Sequence, residues 1–172
     1  MRSRMFRSRP PTRDAWQPQF AWLKVASLAE FLGHRELARS LVEAPVSHAA
    51  RDSELLAQCE GQRGRIARTS GHLDDAAEHF ADAKRRTKPL PKRDAWTRAL
   101  CGLANVRIDR GNFPAAERCL RRALTAGPQV AAPTRVQPWM GLAMVRRKRV
   151  ELVDATLCAW NAFDLIAEGT PH

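Results

Sequence analysis

The stretch LCGLANVRIDRGNFPAAERCLRRALTAGP, residues 100–128, decides the fold. Leu100, Leu103, Ala104 and Arg107 recur at helical spacing and lead to Gly111; Ala116, Leu120 and Ala123 then resume that spacing before Gly127 and Pro128. Apolar residues at i, i+3 and i+4, a break, and a second such run predict two amphipathic helices folded back on each other. Gly111 supplies the left-handed backbone that a tight turn between helices needs. Asn112 is placed to cap the second helix, with Pro114 in its first turn. The small side chains of Ala104 and Ala116 mark where the two helices approach most closely.

The pattern returns along the chain. Gly33, Gly71 and Gly111 are separated by 38 and 40 residues, and each is followed five residues later by an alanine, Ala38, Ala76 and Ala116. Ala155 lies 39 residues beyond Ala116. Seven residues before each glycine stands a small residue, Ala26, Gly64 and Ala104. Ala143 takes that role ahead of Ala155, with Val150 where the glycine would be. Self-similarity at a period of about 20–50 residues is the mark of a stacked array of supersecondary units.

These residues resemble the tetratricopeptide repeat, whose pattern runs W-x2-L-G-x2-Y, then A-x3-F, then A and P. Trp139, Leu142 and Ala143 match the opening of the last copy, and Trp22, Val25 and Ala26 that of the first. The second half is clearest in the middle copies, in Ala76, Phe80 and Ala83, then in Ala116, Leu120, Ala123 and Pro128. The chain departs from the pattern in several places. Arg107 and Arg146 replace the tyrosine, Glu60 and Arg63 occupy apolar positions of the second copy, and Pro45 ends the first copy early. The resemblance covers residues 19–168. It implies an all-α, right-handed α-solenoid of about four helix–turn–helix repeats with a period of 38–40, the excess over the usual repeat length falling in the connections.

Composition narrows the function classes. The 172 residues carry a net charge of +11, 6% aromatics and no tyrosine, so Leu, Ala and Val must form the core. No apolar run of about 18 residues occurs, so no membrane span is expected. Four cysteines, Cys59, Cys101, Cys119 and Cys158, lack any metal-ligand spacing and read as free thiols of a reducing, cytoplasmic setting. The five histidines form no zinc pattern either, and no cofactor is expected. No phosphate-cradling glycine loop and no nucleophile motif is present, so the chain reads as a binding protein, not an enzyme.

In order, residues 1–18 form a basic, proline-punctuated segment that reads as disordered, as a flexible tail or as an arm for an acidic partner. Helices are expected over 20–31 and 36–43, with Trp22, Val25, Ala26 and Ala29 buried. A long helix over 52–69 and another over 74–86 follow. The connector KRRTKPLPKRD, with six basic residues, reads as a solvated loop or a dock for acidic material. After the central pair, GPQVAAPTRVQP leads to helices over 137–148 and 151–167, and 169–172 is a short tail.

If one helix of each pair lines a concave inner surface, its face gives a candidate groove. The central copy contributes Arg98, Cys101, Asn105 and Ile108 or Asp109; the preceding copy Gln58, Gly61, Arg65 and Arg68; the last copy Gln137, Met140, Met144 and Arg147. The first copy adds Phe20, Leu23, Ser27 and Glu30. The middle of this groove is cationic and amide-bearing, and its ends are apolar and methionine-rich. The tetratricopeptide resemblance implies an adaptor or scaffold that binds a protein or acidic peptide there, with Arg65, Arg98 and Asn105 as a carboxylate clamp. Two alternatives remain: a basic helical-repeat reader of RNA or DNA, although base-reading side chains do not recur regularly, and the sensor or assembly part of a bacterial regulatory system. The last helix carries Leu157, Trp160, Phe163 and Leu165 with no polar helix after it, a surface suited to self-association.

Overall fold

The computed structural model describes residues 18–46, 52–91, 93–127 and 130–169, and these form helices and turns with no strand. In chain order the helices are α1 (Pro18–Phe31), α2 (Arg35–Val46), α3 (Ser53–Thr69), α4 (Leu73–Thr87), α5 (Asp94–Asp109), α6 (Phe113–Leu124), α7 (Ala132–Lys148) and α8 (Leu152–Gly169). None of them is long and apolar enough to cross a membrane. The tail expected over residues 1–18 lies outside the described residues except for Pro18, which begins α1.

Four of the links between helices are one and the same turn. Gly33, Gly71 and Gly111 have φ of 83°, 85° and 73°. At each, the glycine amide bonds a carbonyl three residues back and the next amide reaches five back. His72 N–H meets the Ala67 carbonyl at 2.9 Å and Asn112 N–H the Arg107 carbonyl at 2.8 Å. This is the left-handed cap that satisfies the last carbonyls of a helix. The fourth turn has the same two bonds, Val150 to Arg147 at 3.1 Å and Glu151 to Arg146 at 2.9 Å, but Val150 holds the left-handed position at φ 64°. A β-branched side chain is strained there, because its Cβ crowds the following carbonyl. Beyond Gly111, the Asn112 side chain accepts from Ala115 N–H at 3.2 Å, and Pro114 sits in the first turn of α6.

Each turn makes a hairpin, so α1 packs on α2, α3 on α4, α5 on α6 and α7 on α8. Successive hairpins touch through α2–α3, α4–α5 and α6–α7. The odd-numbered helices also touch in series, α1–α3, α3–α5 and α5–α7, and form one layer. The largest core cluster runs from α4 to α7 and includes the fully buried Ala76, Ala104, Ala116 and Leu120. Between hairpins a large residue of one even helix seats on a glycine of the next odd helix. A β-carbon added to Gly102 would lie 2.3 Å from the Phe80 ring, and one added to Gly141 would lie 2.6 Å from Leu120. Phe80 also lies close to Gly64 of its own hairpin. These glycines stand inside helices, where the residue costs about 1 kcal/mol relative to alanine. The close approach of Phe80 and Leu120 accounts for them.

Several expectations need correction. Trp22 and Val25 are 47% and 48% exposed; α1 buries Ala26 and Ala29 as expected, with Leu23 in place of the other two. Among the described residues no helix precedes α1 to cover its outer side. Helix α2 runs on to Val46 through Pro45, which falls in its final turn, where losing one amide bond is least disruptive. Helix α7 begins at Ala132, five residues before the expected start, because Pro133 suits the first turn of a helix. Pro138 is thereby carried inside the helix and buried. Glu60, which seemed to break the buried stripe of α3, is buried and paired with Arg63 at 2.9 Å and His79 at 2.8 Å. Trp139, Ala143 and Ala155 are only half-buried.

Two substitutions separate the turn from the seat. Val150→Gly should raise stability by about 1 kcal/mol, a gain of about 2–4 °C in Tm, as it relieves the left-handed strain. Gly102→Ala should cost about 1–3 kcal/mol by driving a methyl into the Phe80 ring. Thermal unfolding followed by circular dichroism reads both; an unchanged Tm for Gly102→Ala would remove the seat from the account.

Candidate partner-binding groove

The layer of odd helices is concave. Side chains of α1, α3 and α5, with Gln137 from α7, line a groove of about 480 Å³. Its floor is built of small or flat groups, Ala57, Gly61, Ala99 and Gly102, with Phe80 reaching up between α3 and α5. The alanines are there because α3, α4 and α5 meet closely through Ala57, Ala83 and Ala99. Around Gly61 the space is open, with no atom within 4 Å of where a β-carbon would stand.

The side chain of Phe20 lies outside the described residues, and ten of the other residues read from sequence line this groove: Leu23, Ser27, Gln58, Gly61, Arg65, Arg68, Arg98, Cys101, Asn105 and Gln137. Met140, Met144 and Arg147 do not. They lie on exposed parts of α7, with Met140 55% exposed, so the methionine-rich end is not part of this groove. Reasoning from one helical stripe per copy also missed Lys24 and Gln62, which line the groove as well. Each stands one residue away from a side chain that the stripe flanks. A groove face about one residue wider would have included both.

Electrostatics divides the cations into two kinds. Glu30, with a side chain only 7% exposed, accepts from Arg65 at 2.9 Å and from Gln62 Nε2 at 2.9 Å. Gln62 Oε1 in turn accepts from Ser27 Oγ at 2.9 Å, which completes a polar chain from α1 to α3. Arg68 is paired with Asp109 across α3 and α5 at 3.0 Å. The expected clamp is therefore altered: a ligand carboxylate would have to compete with Glu30 for Arg65. Arg98 and Lys24 have no carboxylate partner among the described residues, and Arg98 only donates from Nε to the Asp94 carbonyl at 3.4 Å. Asn105 is half-buried, and its amide makes no hydrogen bond with a described residue. Among the described residues Lys24, Asn105 and Gln137 have no hydrogen-bond partner and Arg98 has only that carbonyl, so these four are the available polar groups of the groove.

The arginines at the tyrosine position of the repeat pattern have a different task. Arg107 donates to the Ala115 carbonyl at 3.0 Å and to Cys119 Sγ at 2.8 Å, tying α5 to α6. Arg146 bonds Glu117 at 2.6 Å and also Glu151, tying α6, α7 and the turn before α8. Hydrogen bonding to Arg146 holds the Glu151 carboxyl below its ordinary pKa. Cys101 lies in the groove floor, 6% exposed, and burial pushes its thiol up to about 12; burial likewise pushes Cys59 up to about 11. Among the described residues no group of three or more His, Cys, Asp or Glu side chains is placed to hold a metal ion.

No family model and no curated protein matches the sequence. The structure is similar to that of BtubC (BKLC) from P. vanneervenii, with a TM-score of 0.67 and 16% identity over 90% of this chain. The chain spans 66% of that protein's length. At this identity the likeness is one of fold: an all-helical, repeat-like chain.

Thiol chemistry checks the closure of the groove floor. At pH 8 the deeply buried Cys59 and Cys101 remain protonated and shielded, so a thiol-reactive disulfide should label only the half-buried Cys158 within minutes. All four cysteines should react after unfolding in guanidinium. Fast labelling of Cys101 in the native protein, read by peptide mass, would mean that α5 and its neighbours open far more than the packing allows.

Proposed function

We propose that residues 19–168 form a right-handed, tetratricopeptide-like α-solenoid of four repeats, and that the chain is a protein–protein interaction module whose concave groove holds an acidic peptide segment of a partner. The observation that carries this reading is the groove's pairing of a small-residue floor with polar groups left unsatisfied at its wall, Lys24, Arg98 and Asn105. An extended peptide brings backbone carbonyls for the amides of Gln58 and Asn105 and a carboxylate for Arg98 and Lys24. A charge-assisted hydrogen bond of this kind contributes about 1.5–3 kcal/mol when water is excluded, and less where it is exposed. The floor admits main chain and small side chains without having to move. The repeated turns, the serial contacts of the odd helices and the fold likeness support the solenoid.

The test is selection of peptides from a displayed random library against the wild-type chain, followed by titration of the selected peptides against Lys24→Glu/Arg98→Glu. Neither residue is paired within the fold, so the variant should keep its helicity. We expect acidic peptides whose affinity falls at least 30-fold in the variant, with chemical-shift changes centred on α3 and α5. Equal affinity for both proteins would move the site elsewhere.

The net charge of +11 favours a second reading, a nucleic-acid-binding helical array. Under it, RNA or DNA of unrelated sequence would bind with a steep salt dependence, the slope growing by about 0.7–0.9 per phosphate neutralised. A role as the sensor or assembly part of a regulatory system would use the same groove and adds the apolar side of α8. There Leu157, Trp160 and Phe163 are more than half exposed, with the Trp160 and Phe163 rings in edge contact at 5.8 Å. Self-association through that face predicts a sedimentation coefficient that rises with protein concentration; a concentration-independent monomer would count against it.

A further inference from the structure

A second concavity lies away from the groove and shares no lining residue with it. It encloses about 710 Å³ between the end of α4, the start of α5 and the end of α6. Lys84 and Arg85 come from the last turn of α4, Lys88 from the residue after it, Arg93 from the cap of α5 and Arg122 from the last turn of α6. Five cations from three elements thus face one basin. Among the described residues only Arg85 is paired there with a carboxylate, that of Asp82. Asp94, next in sequence to Arg93, spends a carboxylate oxygen on the Ala131 amide at 3.1 Å and does not line the basin.

Some of this charge has an internal use. Lysine and arginine in the last turns of α4 and α6 offset the partial negative charge of those helix ends, about half a unit each. After those two ends and Asp82 are allowed for, about three positive charges remain unanswered. Two of the cations are also held in place. The guanidinium carbons of Arg93 and Arg122 stand over the Trp96 ring, 5.4 Å and 5.8 Å from its centroid, and Arg93 donates to the Lys88 carbonyl at 3.3 Å. A guanidinium resting on an aromatic face keeps its N–H edge for an oxyanion, and its planar fork fits a phosphoryl group at two points.

We propose that this basin binds a compact polyphosphate anion, such as pyrophosphate or the phosphate chain of a nucleotide. The choice of occupant follows from the lining. Trp96 is only 8% exposed, so it offers no open face on which a base of single-stranded nucleic acid could stack. Ala126 and the edge of Trp96 are the apolar lining, too little to read the side chains of a peptide. What the basin suits is dense negative charge in a small volume; linked phosphates carry three or more charges within a few ångströms and offer the tetrahedral oxygens that the two guanidinium forks fit.

Calorimetric titration and thermal shift on the full chain, at low and physiological salt, test this with pyrophosphate, tripolyphosphate and inorganic phosphate as probes. We expect pyrophosphate and tripolyphosphate to bind at least tenfold more tightly than inorganic phosphate and to raise Tm with the logarithm of ligand concentration above Kd. Lys84→Gln/Lys88→Gln, which leaves the Trp96 packing intact, should lose at least tenfold in affinity, and Arg93→Gln/Arg122→Gln as much or more. Lys24→Glu/Arg98→Glu should bind the anions as the wild type does, which keeps this site distinct from the groove. Equal affinity for inorganic phosphate and pyrophosphate, or indifference to the lysine pair, would overturn the proposal. So would tighter binding of an oligonucleotide or an oligoglutamate through the same residues.

Discussion

The Phe80 ring lies between two helices that each give up a β-carbon to receive it, Gly64 in α3 and Gly102 in α5. Most of the structure depends on this contact. It sets how closely the second and third hairpins approach, and so the spacing of α3 and α5 across which Arg68 reaches Asp109. The same ring forms part of the groove floor, so packing that stabilises the fold also shapes the groove. The next hairpin repeats the arrangement with Leu120 on Gly141. Packing is short-ranged, and an interior at native density transmits a misplaced methyl rather than absorbing it. The alternation of one large residue with one glycine therefore fixes the hairpins' relative placement more strictly than the broader apolar stripes do.

Hairpins and their turns were legible in the sequence because they rest on local chemistry. A glycine at a left-handed position, an asparagine cap, and alanines five residues past the turn each follow from the backbone next to them. Even Val150 was placed correctly at the turn by period alone, although its residue type argues against that conformation. The seats at Gly102 and Gly141 were not read, although a glycine inside a strongly helical pattern is itself a sign of close approach. Burial at the edge of the array was misjudged for a related reason. Trp22, Glu60, Leu100 and Trp139 occupy one register position, yet Trp22 is 47% exposed while Leu100 is 2% exposed. Residue type does not set that difference; the presence of a neighbouring hairpin on each side does.

The groove was partly legible for the same reason. Its lining follows the helical period, so Gln58, Arg65, Arg98 and Asn105 came out together. What periodicity could not supply was the pairing. Glu30 and Arg65 are 35 residues apart and in different hairpins, and only the fold brings them to 2.9 Å. A cation counted from sequence is an upper bound on the cations a ligand meets, because a half-buried guanidinium left without a partner is costly and tends to acquire one. The two arginines at the tyrosine position illustrate this: Arg107 and Arg146 both turn inward, one to a carbonyl and a sulfur, the other to Glu117 and Glu151.

The net charge of +11 is therefore better understood as a residue left after internal pairing than as a uniform coat. Carboxylates are spent at the joints between hairpins, as Glu30, Glu43, Asp74, Asp109 and Glu117 each bond a basic side chain there. What they leave over gathers where three helix ends meet, with Asp82 the one carboxylate paired to those cations among the described residues, and along one wall of the groove. Helix ends explain the first concentration in part, since α4 and α6 both terminate there and favour basic last turns. They do not explain why Arg93, at the opposite kind of helix end, adds a further positive charge to the same basin. At the N-terminal end of α5 a cation opposes the macrodipole, so its position over Trp96 has an electrostatic cost that an anion in the basin would offset.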